Sequence, residues 1–225
     1  MKIVLKLGGS TLCPSEPNHE FAKKLAGLLT KKQWRHSFAI VCGGGRTARV
    51  YADALRKTGA TEAQADMVGI EAARLNARMI ISALGDAAYG HPVRDLDDLE
   101  SALATGKIAV LGGFMPGQTT DAVAVETAEM MDADLIIIGK DVDYVYTDNP
   151  KTNPKARKLE RLKHAELLEI VRNDDRRAGS SAIMDLVGAV FLRRSKIRTA
   201  FLRISDLKNF EALLEGKKFK GTIVE

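Results

Sequence analysis

A chain of 225 residues makes one large domain or at most two small ones, on a prior of about 150 residues per domain. Its 45% hydrophobic and 28% charged residues are those of an ordinary globular protein, which excludes disorder, collagen-like repeats and disulfide-stapled miniproteins. The formal charge of +5 admits anionic partners such as phosphates, whereas aromatic residues at 5% leave few platforms for stacking single-stranded nucleic acid.

The first predicted element is a strand over residues 3–7, running into Lys6-Leu7-Gly8-Gly9-Ser10. An apolar stripe of Phe21, Leu25, Leu28 and Leu29 then has helical spacing. A second strand, 38–42, leads to Gly43-Gly44-Gly45-Arg46. A long helix over 62–84 carries Val68, Ala72, Leu75, Met79 and Ile80 as its apolar stripe. A third strand, 108–111, enters Gly112-Gly113-Phe114-Met115-Pro116-Gly117-Gln118-Thr119-Thr120-Asp121, where Thr119 or Thr120 is placed to cap a helix beginning near Asp121. Further strands are predicted over 135–138 and 199–204. Strands alternating with helices predict an α/β fold around a mostly parallel sheet. The segment 148–154, with Asn149-Pro150 and Asn153-Pro154, is the candidate hinge between two lobes over one continuous sheet.

No stretch approaches the roughly 18 apolar residues of a membrane span, and the amino terminus begins as a strand, so the chain is expected to be soluble, unsecreted and cytoplasmic. Cys13 and Cys42 are too few for a disulfide framework, and Cys42 lies in an apolar run that favours an inert buried thiol. His19, His36, His91 and His164 show no metal-ligand spacing, so no metal site is expected from them. Ser10 lies outside any G-x-S-x-G motif and has no evident histidine partner, which disfavours a hydrolase triad. The basic clusters at Arg193-Arg194 and Lys217-Lys218 read as solvated faces or subunit contacts.

Three strands ending in glycine-rich turns locate the chemistry, because ligands of such folds bind at those strand ends. A single Gly-Gly there can equally be tight packing, and Ser10 can be a cap. Three together make a place where backbone N–H groups and helix termini receive several phosphates, hence two phosphorylated ligands. Two other fingerprints fit less well. Gly43-Gly44-Gly45-Arg46-Thr47-Ala48 matches the dinucleotide signature with Asp66 about 20 residues on, yet no second strand intervenes to present that acid. Gly112 to Thr119 is one residue short of a phosphate-binding P-loop and has Gln118 where the lysine is required.

Taken together, K-L-G-G-S (6–10), V-C-G-G-G-R-T-A-R (41–49), L-G-G-F-M-P-G-Q-T-T-D-A-V-A (111–124) and D-V-D-Y-V-Y-T-D-N-P (141–150) resemble the amino-acid kinase superfamily, and within it the archaeal-type uridylate kinases. The likeness continues through residues 66–70 and 74–77, Ala178-Gly179-Ser180-Ser181 and Gly221-Thr222, and so covers essentially the whole chain. It implies a single domain over 1–225 with a three-layer α/β/α sandwich, an acceptor-binding lobe roughly over 1–130 and an ATP-binding lobe roughly over 131–225. It also implies transfer of the γ-phosphoryl group of ATP to UMP, with Mg²⁺ carried by the nucleotide, in a homohexamer that binds neither nucleic acid nor membrane.

By the same resemblance, Gly8, Gly9, Ser10, Gly45, Arg49 and Lys140 hold the ATP phosphates, with Tyr146 and Asn149 at its adenosine part. Gly44, Asp66, Phe114, Met115, Pro116, Gly117, Gln118, Thr119 and Thr120 hold UMP. Lys6 is the expected catalytic cation, stabilising charge in flight, and Asp121 the acid that organises it. Relatives usually carry Asn-Val-Asp-Gly where this chain has Asp141-Val142-Asp143-Tyr144, and an acid is common at the position of Asn149. The alternatives are a kinase of the same fold acting on another small phosphate or carboxylate, and a nucleotide or anion binder without catalysis.

Overall fold

The computed structural model describes residues 1–148, 150, 153–175 and 183–225. Asn149, and with it much of the candidate hinge, lies outside the described residues, as does Ala178-Gly179-Ser180-Ser181.

A seven-stranded sheet organises the chain. β1 (Lys2–Leu7), β2 (Ser37–Cys42), β3 (Ala109–Leu111) and β4 (Leu135–Lys140) are followed by a separate antiparallel pair, β5 (Val145–Tyr146) with β6 (Lys158–Leu159). β7 (Arg161–Leu162), β8 (Thr199–Arg203) and β9 (Thr222–Val224) complete the large sheet in the order β3-β2-β1-β4-β8-β9-β7. All its pairings are parallel except β8 with β9. β1, β2 and β4 are nearly continuous runs of buried aliphatic residues, as expected of strands covered on both faces. Alternation sends Ile3, Leu5 and Leu7 into one apolar cluster and Val4 into another, one on each side of the sheet. That is the three-layer sandwich expected.

The helices are α1 (Gly9–Leu12), α2 (His19–Lys32), α3 (Gly45–Lys57), α4 (Glu62–Leu84), α5 (Leu96–Ala104), α6 (Thr120–Met131), α7 (His164–Asp175), α8 (Leu186–Ser195) and α9 (Leu207–Leu214). α2 buries Phe21, Leu25 and Leu29 as its spacing predicts. α4 runs over the predicted span and opens with a capping box between Thr61 and Gln64. Its buried stripe differs in part from the one predicted. Ala72 and Ile80 are buried as predicted and Met79 packs against the core, but Leu75 is 64% exposed, and Ile70, Ala73, Ala77 and Leu84 also face the core, small residues among them making the stripe's centre hard to see. Ser10 does not cap either: it lies inside α1, whose N-cap Gly8 makes no side-chain bond.

Candidate active site

The parallel pairing of β1, β2, β3 and β4 brings their carboxyl ends, and therefore all three glycine-rich turns and Lys140, to one edge of the sheet. Lys6 pairs in register with Val41 on one side and Ile138 on the other. It shares its strand parity with Val4, which packs in the cluster containing Val123 and Ala124 of α6, so its side chain points to the α6 face. Lys140 shares parity with Ile136 and Ile138 of the same cluster. The two ammonium groups thereby converge on the first turn of α6.

Asp121 receives them both. Lys6 Nζ lies 2.5 Å from Asp121 Oδ1, and Lys140 Nζ lies 3.0 Å from Asp121 Oδ2. Lys6 and Asp121 are each only 5% exposed. Burial pulls the Lys6 ammonium down to about 8, against the attraction of Asp121 and with the repulsion of Lys140. For Asp121 burial works upward, but Lys140 and Lys6 together outweigh it and hold the carboxyl well below its usual range. Burial works against the charge of Lys140 too, yet Asp121 beside it raises its basicity. Two cations converge on one carboxylate in a low-dielectric place, with Asp185 acting on Lys140 as well. The amino end of α6 adds about half a positive charge. Such a centre is built to receive an anion.

The turns are pressed backbone to backbone. A Cβ on Gly9 would fall 2.1 Å from the Gly45 amide nitrogen, and one on Gly45, whose φ is +67°, would fall 2.4 Å from the Gly9 carbonyl oxygen. Glycine is required there by contact between turns as well as by any ligand. Exposed Ser10 and Arg49 flank this junction, and Arg46 and Arg49 have no carboxylate within ion-pair distance among the described residues.

α4 forms the wall behind the turns. Asn76, buried, donates from Nδ2 to the Gly43 carbonyl at 2.7 Å. Gly112 packs so closely on α4 that a Cβ would lie 2.8 Å from the Arg74 amide nitrogen. Asp66 Oδ2 accepts the Gly117 amide at 2.8 Å, tying the helix to the exposed loop from Phe114 to Thr119. Gly44 also faces α4, where a Cβ would lie 3.0 Å from the Gly69 carbonyl oxygen. In the loop after β3, Gln118 turns its amide toward α6 and donates to Glu126 Oε2 at 2.5 Å, beside a Glu126 carboxyl that burial raises.

Thr119, as predicted, caps α6, accepting the amides of Asp121 and Ala122 at 3.2 and 3.3 Å. Its hydroxyl in turn donates to Asp185 Oδ2, while Asp185 Oδ1 accepts the Gly188 amide at 3.0 Å and caps α8. A Cβ on Gly188 would be 3.2 Å from the Ala122 nitrogen, so the amino ends of α6 and α8 abut.

Lys6, Asp121 and Lys140 are therefore in direct contact, Gly9 meets Gly43 and Gly45 at one junction while Gly8 lies against Gly139 at the end of β4 and Gly44 against α4, and Asp66 meets the Phe114–Thr120 loop through Gly117. Tyr146 stands apart in the β5–β6 pair. Asp185, Asn76 and Glu126 join the site without having been singled out by sequence. For Asp185 a signal exists, an aspartate directly before an apolar helical run; for Asn76 and Glu126 no comparable local signal does.

Known proteins resemble this chain along its whole length. The model of the amino acid kinase family matches residues 1–202. The uridylate kinase of Pyrococcus abyssi (strain GE5 / Orsay) is 42% identical over 225 residues, all of both chains. The uridylate kinase of Methanococcoides burtonii is 41% identical over 207 residues, which is 92% of this chain and 88% of that one. Among solved structures, the uridylate kinase of Archaeoglobus fulgidus superposes with a TM-score of 0.89 at 35% identity, covering all of both chains. The aspartate kinase of Synechocystis, at 19% identity and a TM-score of 0.77, covers this whole chain with 39% of its own and shares the fold.

Proposed function

We infer the function from a premise and an observation: the chain belongs to the amino acid kinase family, and Asp121 binds Lys6 and Lys140 at opposite oxygens. It is a uridylate kinase, transferring the γ-phosphoryl group of ATP to UMP to give UDP and ADP. The identity of 41–42% with uridylate kinases over all or most of the chain supports the choice of acceptor, and the two ammonium groups converging on Asp121 support the reaction class.

An oxygen of the UMP phosphate, already ionised, attacks the γ-phosphorus of ATP as the bond to the β,γ-bridging oxygen breaks, and ADP leaves with the released electron pair. No strong general base is needed, so alignment and charge neutralisation carry the catalysis. Lys6 is the cation that follows the transferring group. Asp121 is a positioning residue, keeping both ammonium groups charged and aimed. Asp66 takes the ribose hydroxyls of UMP while fixing the Phe114–Thr120 loop. Gly8, Gly9, Ser10, Gly45, Arg49 and Lys140 hold the ATP phosphates, with Tyr146 and Asn149 toward adenosine.

Among the described residues no three or more His, Cys, Asp or Glu side chains gather into a metal cage, and both Asp121 oxygens are engaged by lysines. Mg²⁺ is carried by the nucleotide, as part of the ATP substrate. The lobe over roughly residues 1–130 binds the acceptor, with its glycine turns also reaching the ATP phosphates, and the lobe over roughly 131–225 binds the rest of ATP, a division supported by the strand order, β3-β2-β1 followed by β4-β8-β9-β7. The chain forms a homohexamer; exposed Val50 and Tyr51 on α3 and Met67 and Leu75 on α4 supply apolar surface for it. It works in the cytoplasm, consistent with two free buried cysteines.

The test is a panel of nucleoside monophosphates with ATP and Mg²⁺. UMP should turn over fastest, and no turnover of UMP would refute the assignment.

A further inference from the structure

Tyr144 lies in the short connection from β4 to β5, held on both sides. The carboxylate of Asp143 accepts from Arg203 Nε at 3.0 Å and Nη2 at 3.4 Å. Arg203 ends β8 and is the register partner of Lys140. On the other side, the Val145 amide donates to Thr222 Oγ1 at 2.8 Å. The backbone around Tyr144 is thus fastened to the ends of β8 and β9, next to the lysine that binds Asp121.

Its ring meets Tyr146 edge to face, with centroids 6.4 Å apart and an interplanar angle of 86°. Lys158, opposite Tyr146 in the β5–β6 pair, holds its ammonium 5.0 Å from the Tyr144 ring centroid and is itself bound to Glu160 at 2.8 Å. Both tyrosines are half-buried, and neither belongs to an apolar cluster or packs against one. A pair of aromatic rings outside the core, at the ligand-binding edge of the sheet, requires another account than packing. Tyr144 lies four positions after Lys140, a reach of at most about 14 Å, comparable with the distance from terminal phosphate to base in an extended nucleoside triphosphate.

We propose that Tyr144 is a specificity-determining residue of the donor site: with Tyr146 it forms an aromatic wall for the donor's base, favouring purines, which have the larger stacking surface. This rests on the reading of the Lys140 side as the place of the donor phosphates. Aromatic stacking of a base is lost on truncation to alanine, whereas phenylalanine preserves it.

Calorimetric titration of wild type, Tyr144→Ala and Tyr144→Phe with ADP, CDP and inorganic tripolyphosphate tests it. Tyr144→Ala should weaken ADP binding by about tenfold, reduce the preference for ADP over CDP, and leave tripolyphosphate binding unchanged; Tyr144→Phe should behave as wild type. In turnover, Tyr144→Ala should raise KM for ATP with kcat and KM for UMP unaltered. Unchanged ADP affinity in Tyr144→Ala, or an equal loss for tripolyphosphate, would overturn the proposal while leaving the kinase reading standing. Wild-type protein that binds neither ADP nor tripolyphosphate would overturn that reading, and the proposal with it.

Discussion

Lys6 Nζ stands 2.5 Å from Asp121 Oδ1, with both side chains buried. Isolated, such a pair gains little, since desolvating two charges costs about what their attraction returns. With Lys140 on the other oxygen two ammonium groups share the one carboxylate that contacts them, and a polyanionic ligand completes the electrostatics.

Replacing Lys6 by alanine should therefore lower kcat by about 10²- to 10³-fold, the usual loss for one preorganised group facing developing charge. KM for UMP should change little. Steady-state kinetics with UMP varied at saturating ATP measures this; equal losses in kcat and UMP affinity would mean that Lys6 holds the acceptor instead.

The same lysine should be visible in the pH profile. Its ammonium is pulled down to about 8 by burial, and only the charged form can stabilise the transferring group. Thus kcat/KM, which reports the free enzyme, should fall as pH rises through about 8. The falling limb of kcat should lie higher, because bound phosphates favour the ammonium. Lys6→Arg, which does not titrate in this range, should lose that limb.

Asp121→Ala leaves two neighbouring buried ammonium groups without the carboxylate that contacts both. Stability by urea denaturation should fall by about 3–5 kcal/mol. Adding Lys6→Met to Asp121→Ala should recover part of that loss without restoring activity, a combination that separates electrostatic relief from catalysis.

Asp66→Ala should raise KM for UMP by about tenfold or more, on the order of 1.4 kcal/mol per tenfold. It removes the acceptor of the Gly117 amide together with the proposed ribose contact. Asp66→Asn keeps an oxygen for Gly117 and should be milder. kcat should stay near wild type in both, and a selective loss of kcat would place Asp66 in the chemical step instead.

Gly9→Ala would put a methyl group 2.1 Å from the Gly45 backbone nitrogen, where nothing can rotate away. The two turns must separate, at a cost of at least the roughly 1–3 kcal/mol of ordinary overpacking. Thermal unfolding should show it, whereas Gly27→Ala, on a helix with open space around it, should be neutral or stabilising.

The sheet is legible in the sequence because β1, β2 and β4 are continuous aliphatic runs that end in or beside glycine, a pattern with a single structural meaning. Thr119 is legible as a cap because it immediately precedes a helical run. What escapes has a physical reason in each case. α4 is rich in alanine, and a stripe drawn through its larger residues puts Leu75 inside when it lies outside. α3, which buries only Gly45, has too little apolar pattern to reveal itself. The meeting of Lys6 with Asp121 depends on strand parity and on which side of the sheet α6 packs; sequence supplies the residues, through a family resemblance, and tertiary structure supplies the contact. Asp185 and Asn76 act through partners 66 and 33 positions away, beyond any local signal of those contacts.

Phosphoryl transfer is tested most directly by one turnover with radiolabel in the γ-phosphoryl group of ATP, in the presence of Mg²⁺ and UMP, comparing wild type with Lys6→Ala and resolving the products by chromatography. Wild type should pass the label into UDP in step with ADP formation, and the variant should do so about 10²- to 10³-fold more slowly. Label released as inorganic phosphate with no labelled UDP, or transfer by the variant at the wild-type rate, would contradict the account.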